Sequence, residues 1–292
     1  PTPRLPLQGW ITGDQAKALF ADAGMDLDTL RAAAGKPGFR AVPLPATATT
    51  TLKSTVRQKE SRNVMALLPG TDRKDEVVVY MAHWDHLGTR AAKAGDADTI
   101  FNGAVDNATG IAGMLEIAGV LGGAKPRRSV LFLAVTLEES GLLGSQYYVA
   151  HPVFPLAKTV GVINIDAMNV IGRTRDLTVV GKGQSELEDL LAPIMARQGR
   201  VLVEESDPTA GYYFRSDHFN FAKAGVPAIF TGAGVDLLEG GTAAGKAASE
   251  DYVRNRYHTP ADEYDPATWK LDGTVLDMAA LFELGLALSY EE

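Results

Sequence analysis

The sequence contains no cysteine. Disulfides and thiolate metal sites are both excluded, so any metal ion must be held by histidine, aspartate or glutamate. A cysteine-free chain is compatible with export to an oxidising compartment. Long hydrophobic stretches are missing too: no apolar run approaches the roughly 18 residues of a membrane span. Basic residues are the minority, 28 Lys and Arg against 36 Asp and Glu, for a net charge of −8. This balance argues against nucleic acid or an anionic membrane surface as main partner, because both reward clustered Lys and Arg. It suits a protein that concentrates divalent cations. The chain opens at Pro1 without a basic-then-apolar leader, so any signal peptide is expected to lie outside it, as in a processed or truncated chain.

What is present is enough for one large core: 292 residues, 46% of them hydrophobic. Residues 1–59 read differently from the rest. Helices are expected at 13–24, with Asp14 near the start and Gly24 as a stop, and at 26–35, where Asp26 can cap. The Thr-rich stretch 43–58 reads as an extended segment or edge strand. From Asn63 onward, strand and helix patterns alternate. NVMALLPG (63–70) and EVVVYMAH (76–83) read as a hairpin split by a Pro-Gly turn. SVLFLAVTL (129–137), TVGVINID (159–166) and PAIFTG (227–232) are apolar runs of the kind that form strands covered on both faces. GIAGMLEIAGVLGG (110–123) reads as a helix buried on more than one side. Further helices are expected at 185–199, 216–224 and 274–289, and LEGGTAAGKAAS (238–249) as a mobile loop. These elements predict an α/β fold, a three-layer α/β/α sandwich with a mostly parallel central sheet.

Chemistry gathers where the strands end. The first run ends in His83, followed by Trp84, Asp85 and His86; the second enters Glu138-Glu139; the third enters Asp166. Open α/β sheets place their sites at this carboxyl edge. Residues two apart in a strand share a face, so the Asp85 carboxylate is placed to receive the proton of the other ring nitrogen of His83. The plain alternative is a strand-end hydrogen bond. His86 is expected to face away and not to ligate. Of two adjacent glutamates, one can ligate while the other accepts a proton from water, the alternative being a solvated acidic turn. In GAVDNATG (103–110), Asp106 can bridge two metals, since a carboxylate has two oxygens, while Asn107 or Thr109 can cap the following helix. His258 precedes a Pro-containing turn in RYHTPADEYD.

AHWDHLG, FNGAVDNATG, TLEESGLLGS, INIDAMN, SDHFNFAKAGVPA and YHTPADEYD, in that order, resemble the di-zinc aminopeptidase family that includes bacterial leucyl aminopeptidase, aminopeptidase Y and glutamate carboxypeptidase II. The match spans about residues 60–290, the expected catalytic domain being 60–292. The resemblance implies two zinc ions per chain, ligated by His83, Asp106, Glu139, Asp166 and His258, with Asp106 bridging and Asp85 behind His83. It makes Glu138 the base and implies removal of N-terminal residues from peptides with a free N-terminus. Two zinc ions bring +4; the three carboxylate ligands and a bridging hydroxide cancel it, as a buried site requires. Asp217 and His218 are expected as supporting structure, and Tyr213, Phe214, Tyr252 and Tyr257 as candidates for the pocket wall. Val105 and Asn107 stand where some relatives carry further aspartates. Residues 1–59 are too short for the protease-associated domain many relatives insert, and read as its remnant or a linker. Relatives of this type are generally secreted or periplasmic. Two rivals share the scaffold, a mono-zinc glutaminyl cyclase and a receptor-like binding module without metals. The oligomeric state is not legible.

Overall fold

The computed structural model describes residues 8–291; Pro1 lies outside them. The chain divides into two compact units between Lys59 and Glu60. In the first, α1 (Gly13–Asp22) is capped by Thr12, whose side chain accepts from the Gln15 amide while the Gln15 side chain returns to Thr12 N–H. Helix α2 (Leu27–Ala34) is capped by Asp26, which accepts from Thr29 N–H at 2.7 Å. None of the described residues of this unit is buried, and 43–58 forms no strand among them, so of the two expectations for this stretch the edge strand is not borne out.

The second unit carries β1 (Val64–Leu68), β2 (Arg73–His83), the short pair β3 (Gly88–Thr89) and β4 (Ile100–Phe101), α3 (Thr109–Leu121) and β5 (Arg128–Val135). It continues through α4 (Leu143–Ala150), β6 (Thr159–Asn164), β7 (Asp176–Val179), α5 (Leu187–Arg197), β8 (Val201–Glu204), α6 (His218–Lys223), β9 (Ala228–Gly232), α7 (Gly241–Asn255) and α8 (Leu271–Tyr290). Seven strands form one sheet in the order β1-β5-β2-β6-β9-β7-β8. Pairings β5–β2, β2–β6, β6–β9 and β7–β8 are parallel; β1–β5 and β9–β7 are antiparallel.

Strand β2 explains the layering. Its alternate residues face opposite sides, and all from Val77 to His83 are buried. Val78, Tyr80 and Ala82 join one core with Met114, Ile117 and Leu121 of α3, Leu191 of α5 and Leu281 and Leu284 of α8. Val77, Val79 and Met81 join a second core with Tyr148 of α4 and Phe221 of α6. Two cores on two faces are the three layers expected.

Three local expectations fail, each for a packing reason. The strands read as a hairpin, β1 and β2, do not pair; β5 lies between them. Gly70 lies against the start of β5, where an added Cβ would come within 2.5 Å of Arg127 O, and Thr71 N–H bonds to Pro126 O. The turn therefore steps over β5, and β2, apolar on both faces, gains a parallel neighbour on each side. Helix α3 buries one stripe (Gly110, Gly113, Met114, Ile117, Leu121) and leaves Leu115 and Val120 exposed. The segment Ala104–Leu121 is long and apolar enough to match a membrane span by composition, but over half of it is buried against the sheet. The expected loop at 238–249 is mostly the helix α7, whose Gly245 packs directly on the Val235 backbone. Short strands β7 and β8 carry no comparable sequence signal.

Candidate active site

Residues that sequence places more than 170 positions apart meet at the carboxyl ends of β2, β5 and β6. His83 is the last residue of β2, with its ring buried. Its Nε2 lies 3.1 Å from Asp106 Oδ1 and 3.2 Å from Asp166 Oδ1. The other Asp106 oxygen lies 3.3 Å from His258 Nε2, which is also 3.1 Å from Glu139 Oε2. Asp106 thus faces His83 with one oxygen and His258 with the other. The structure brings together all of His83, Asp106, Glu139, Asp166 and His258.

The backbone that presents them is strained at those very points. Leu137 (φ 58°), one residue before Glu138, Ala167 (φ 53°), one after Asp166, and His258 itself (φ 57°) adopt left-handed conformations that side chains disfavour. Each costs on the order of 1 kcal/mol or more and is held by surrounding bonds. Asp262 braces the neighbouring loop that carries Asp106. Its carboxylate accepts from Val105 N–H (3.0 Å) and Asp106 N–H (3.1 Å), its carbonyl from Ala104 N–H (3.1 Å), and Tyr252 donates to the same side chain. Asn107 ties the loop to the sheet, donating to Ile165 O (2.9 Å) and accepting from Gly110 N–H (2.9 Å) and Ala167 N–H (3.2 Å). Asn107 takes the capping role, which releases the Asp106 carboxylate. Ser216 donates to Asp166 Oδ2 at 2.6 Å and is itself held by Asn164. Asp262 and Ser216 lie inside the motifs quoted above, but nothing in their local pattern marks their partners.

Two expectations are corrected. His83 Nδ1 bonds to the main-chain carbonyl of Asp85 at 3.1 Å, whereas the Asp85 carboxylate is 4.0 Å away. That carboxylate accepts instead from Glu138 N–H at 3.1 Å. Asp85 therefore fixes the His83 tautomer through its backbone and anchors the Glu-Glu turn through its side chain. His86 does not face away: its Nδ1 is 2.6 Å from Glu139 Oε1. Strand β2 ends at His83, so strand alternation does not extend to residue 86. As for the neighbouring groups, buried Asp217 accepts from Ser145, while His218 has no hydrogen-bond partner among the described residues and packs on Tyr213 and Phe230. Tyr257 stacks on the His258 ring at 3.8 Å between centroids, Tyr213 lies over Gly181, and Phe214 is exposed.

Electrostatics tests whether this donor set fits metal. Burial opposes charge on His83, yet Asp166 and Asp106 hold its pKa up at about 12. Asp106 and Glu139 hold His258 up at about 9. Burial, with Asp166 nearby, pushes the Glu138 carboxyl up to about 9. Burial also opposes ionisation of Asp106, but His258 and His83 outweigh it and keep that carboxyl well below its ordinary range. The cluster has more negative potential than its own side chains neutralise, and holds protons to make up the difference. Ligand atoms of His83, Asp106 and Asp166 lie within 4.8 Å of one another, as do those of His86, Asp106 and Glu139. Imidazole and carboxylate donors without sulfur suit zinc and similar divalent ions, which displace such protons.

The sequence profile of peptidase family M28 matches residues 63–282. The chain belongs to peptidase family M28. It is 29% identical to leucine aminopeptidase 2 of Arthroderma otae over 231 residues, 75% of this chain and 43% of that protein. In structure it resembles the zinc aminopeptidase BSAP of Bacillus subtilis, with a TM-score of 0.55 and 23% identity, covering 79% of this chain and 50% of that one. A glutaminyl cyclase of Bacteroides thetaiotaomicron shares the fold as well, with a TM-score of 0.50, 19% identity and coverage of 79% and 77%. The chain spans less than half the length of the curated relatives it matches. Its fold is that of these solved structures.

Proposed function

We propose that this M28 chain is an aminopeptidase that removes N-terminal amino acids from peptides, with a site for two zinc ions. The supporting observation is Asp106, whose two oxygens face His83 and His258 separately. His83, Asp106 and Asp166 would hold one ion, and Asp106, Glu139 and His258 the other. Bound there, zinc supplies Lewis acidity toward the scissile carbonyl and makes water more acidic.

Proton movement falls to Glu138. Its partial burial raises proton affinity, so the carboxylate accepts a proton from the attacking water more readily than an exposed glutamate would. It then delivers that proton to the leaving amine. Asp85 holds the Glu138 amide, which sets where the turn presents this side chain. Tyr257, stacked on His258, restricts how that ring can turn. A substrate α-amine must be neutral to act as a donor, so activity falls as pH drops.

The deciding experiment measures metal per chain and release of p-nitroaniline from aminoacyl anilides. Two zinc ions and anilide hydrolysis support the aminopeptidase. One zinc ion with pyroglutamate formation from an N-terminal glutamine peptide would make the chain a cyclase. A chain that binds no zinc and ignores chelators would be a binding module.

A further inference from the structure

We propose that His86 is a further metal-ligating residue, joining Asp106, Glu139 and His258 at the second of the two metal positions. The inference rests on the two-zinc reading above and refines who holds the second ion.

His86 has a specific reason to be noticed. Its side chain is more than nine-tenths buried, and neither ring nitrogen has a hydrogen-bond partner among the described residues. A neutral imidazole carries one donor and one acceptor nitrogen, and leaving both unpaired away from water costs on the order of 1–3 kcal/mol each. Glu139 Oε1 is also buried and without a hydrogen bond. These two orphaned groups face each other, Nδ1 and Oε1 being 2.6 Å apart but not aligned for a hydrogen bond. An ordinary ion pair would align them. Two donors turned toward a common ion have no reason to.

The surroundings fix the ring in that corner. Gly103, at φ +61° on the loop that carries Asp106, packs against it closely enough that a Cβ there would come within 2.7 Å of His86 Cγ. The His86 and His258 rings meet edge to face at 5.7 Å between centroids. Glu139 thus has an imidazole at each oxygen, His86 at Oε1 and His258 at Oε2. Ligand atoms of His86, Asp106 and Glu139 fall within 4.8 Å of one another, the same closeness as in the His83, Asp106 and Asp166 group. The two positions are therefore unequal: one imidazole with two carboxylates at the first, two imidazoles with two carboxylates at the second.

Histidine NMR on the full chain tests this directly, since there are five histidines to follow. Protein labelled with nitrogen-15 at histidine is stripped with a chelator and titrated with zinc. Three imidazoles, those of His83, His86 and His258, are expected to take up ligand-type nitrogen shifts, while His151 and His218 stay unchanged. In His86→Gln, competition against a chromophoric chelator should show one zinc ion weakened by at least about tenfold and the other at parental affinity. If only two imidazoles of the parent respond, or His86→Gln binds both ions as tightly as the parent, the assignment of His86 is wrong while the two-zinc site stands. If the parent binds no zinc, both fall together. The NMR arm uses the unaltered chain and so decides the matter even if the variant misfolds.

Discussion

Glu138 and Glu139 are neighbours in sequence and opposites in setting. Burial and Asp166 raise the proton affinity of Glu138, whereas His258 and His86 outweigh burial at Glu139 and lower its pKa. Glu138→Gln should therefore keep its zinc and lose turnover by a factor of about 10²–10⁴, as read by kcat together with metal analysis. Asp85 gives a sharper test, because its two possible roles predict different losses. Its side chain anchors Glu138 N–H and its carbonyl serves His83, so Asp85→Ala should lower kcat several-fold, the worth of one bond of about 1 kcal/mol, with zinc affinity nearly unchanged. A large loss of zinc affinity would return the carboxylate to His83. His218 carries a third prediction. Burial pushes its pKa down to about 3, below the ordinary 6.5, so only the unfolded chain binds this proton between those values. Its contribution to stability is lost as pH falls from 6.5 toward 3, at up to about 1.4 kcal/mol per pH unit. Asp217 next to it, pushed up to about 7, acts in the opposite sense, so the parent is the necessary comparison. His218→Phe fits the slot between Tyr213 and Phe230 and should show less acid destabilisation than the parent in denaturant melts at pH 4 and 6.5.

Among the elements, α8 and β2 pack closely where Gly285 faces Tyr80. A Cβ at residue 285 would overlap the Tyr80 phenol, whose hydroxyl donates to Leu281 O at 3.1 Å. Gly285→Ala should lower stability by about 1–3 kcal/mol, and Tyr80→Phe in the same chain should recover part of it, giving a non-additive double-mutant cycle in urea melts. Elements with a strong pattern were legible from sequence: β5, β6 and β9 as continuous apolar runs, α2 by its Asp26 cap, and α1 by its amphipathic period, although its cap is Thr12 rather than a residue singled out in the sequence. The hairpin reading failed because pairing depends on which strand can cover two faces, and β5 competes better for β2 than the exposed β1 does. Helix α7 was hidden by its Gly and Ala content, which reads as low complexity although the alanines favour helix. Strands β7 and β8 are four residues each, too short for a pattern.

For the whole molecule, the site was legible as a list of residues that come together and illegible as a network. Strand ends marked His83, Glu138 and Asp166. Asp262 and Ser216 act through partners more than 40 residues away in the chain, which no local spacing reveals. The assembled cluster also predicts how metal and pH act together. His258, raised from 6.5 to about 9, and Glu138, raised from 4.5 to about 9, bind more protons folded than unfolded. For His258 the stabilisation is full below pH 6.5 and lost by about 9; for Glu138 the cost of folding grows from pH 4.5 to 9. The chelator-treated protein should therefore have a lower urea midpoint at pH 8.5 than at pH 6. Zinc must displace the His258 proton, so its affinity should rise over the same interval and its addition should restore both stability and anilide hydrolysis.

The spread of the cluster residues along the chain has a consequence for synthesis. A ribosome releases His83, Asp106 and Asp166 about 90 residues before His258 and the Asp262 clamp. A growing chain thus has His83, Asp106, Glu139 and Asp166 in hand while the Glu139 corner still lacks the His258 imidazole and the Asp262 loop support. The full cluster therefore assembles only once His258 and Asp262 have been made, however early its other members emerge.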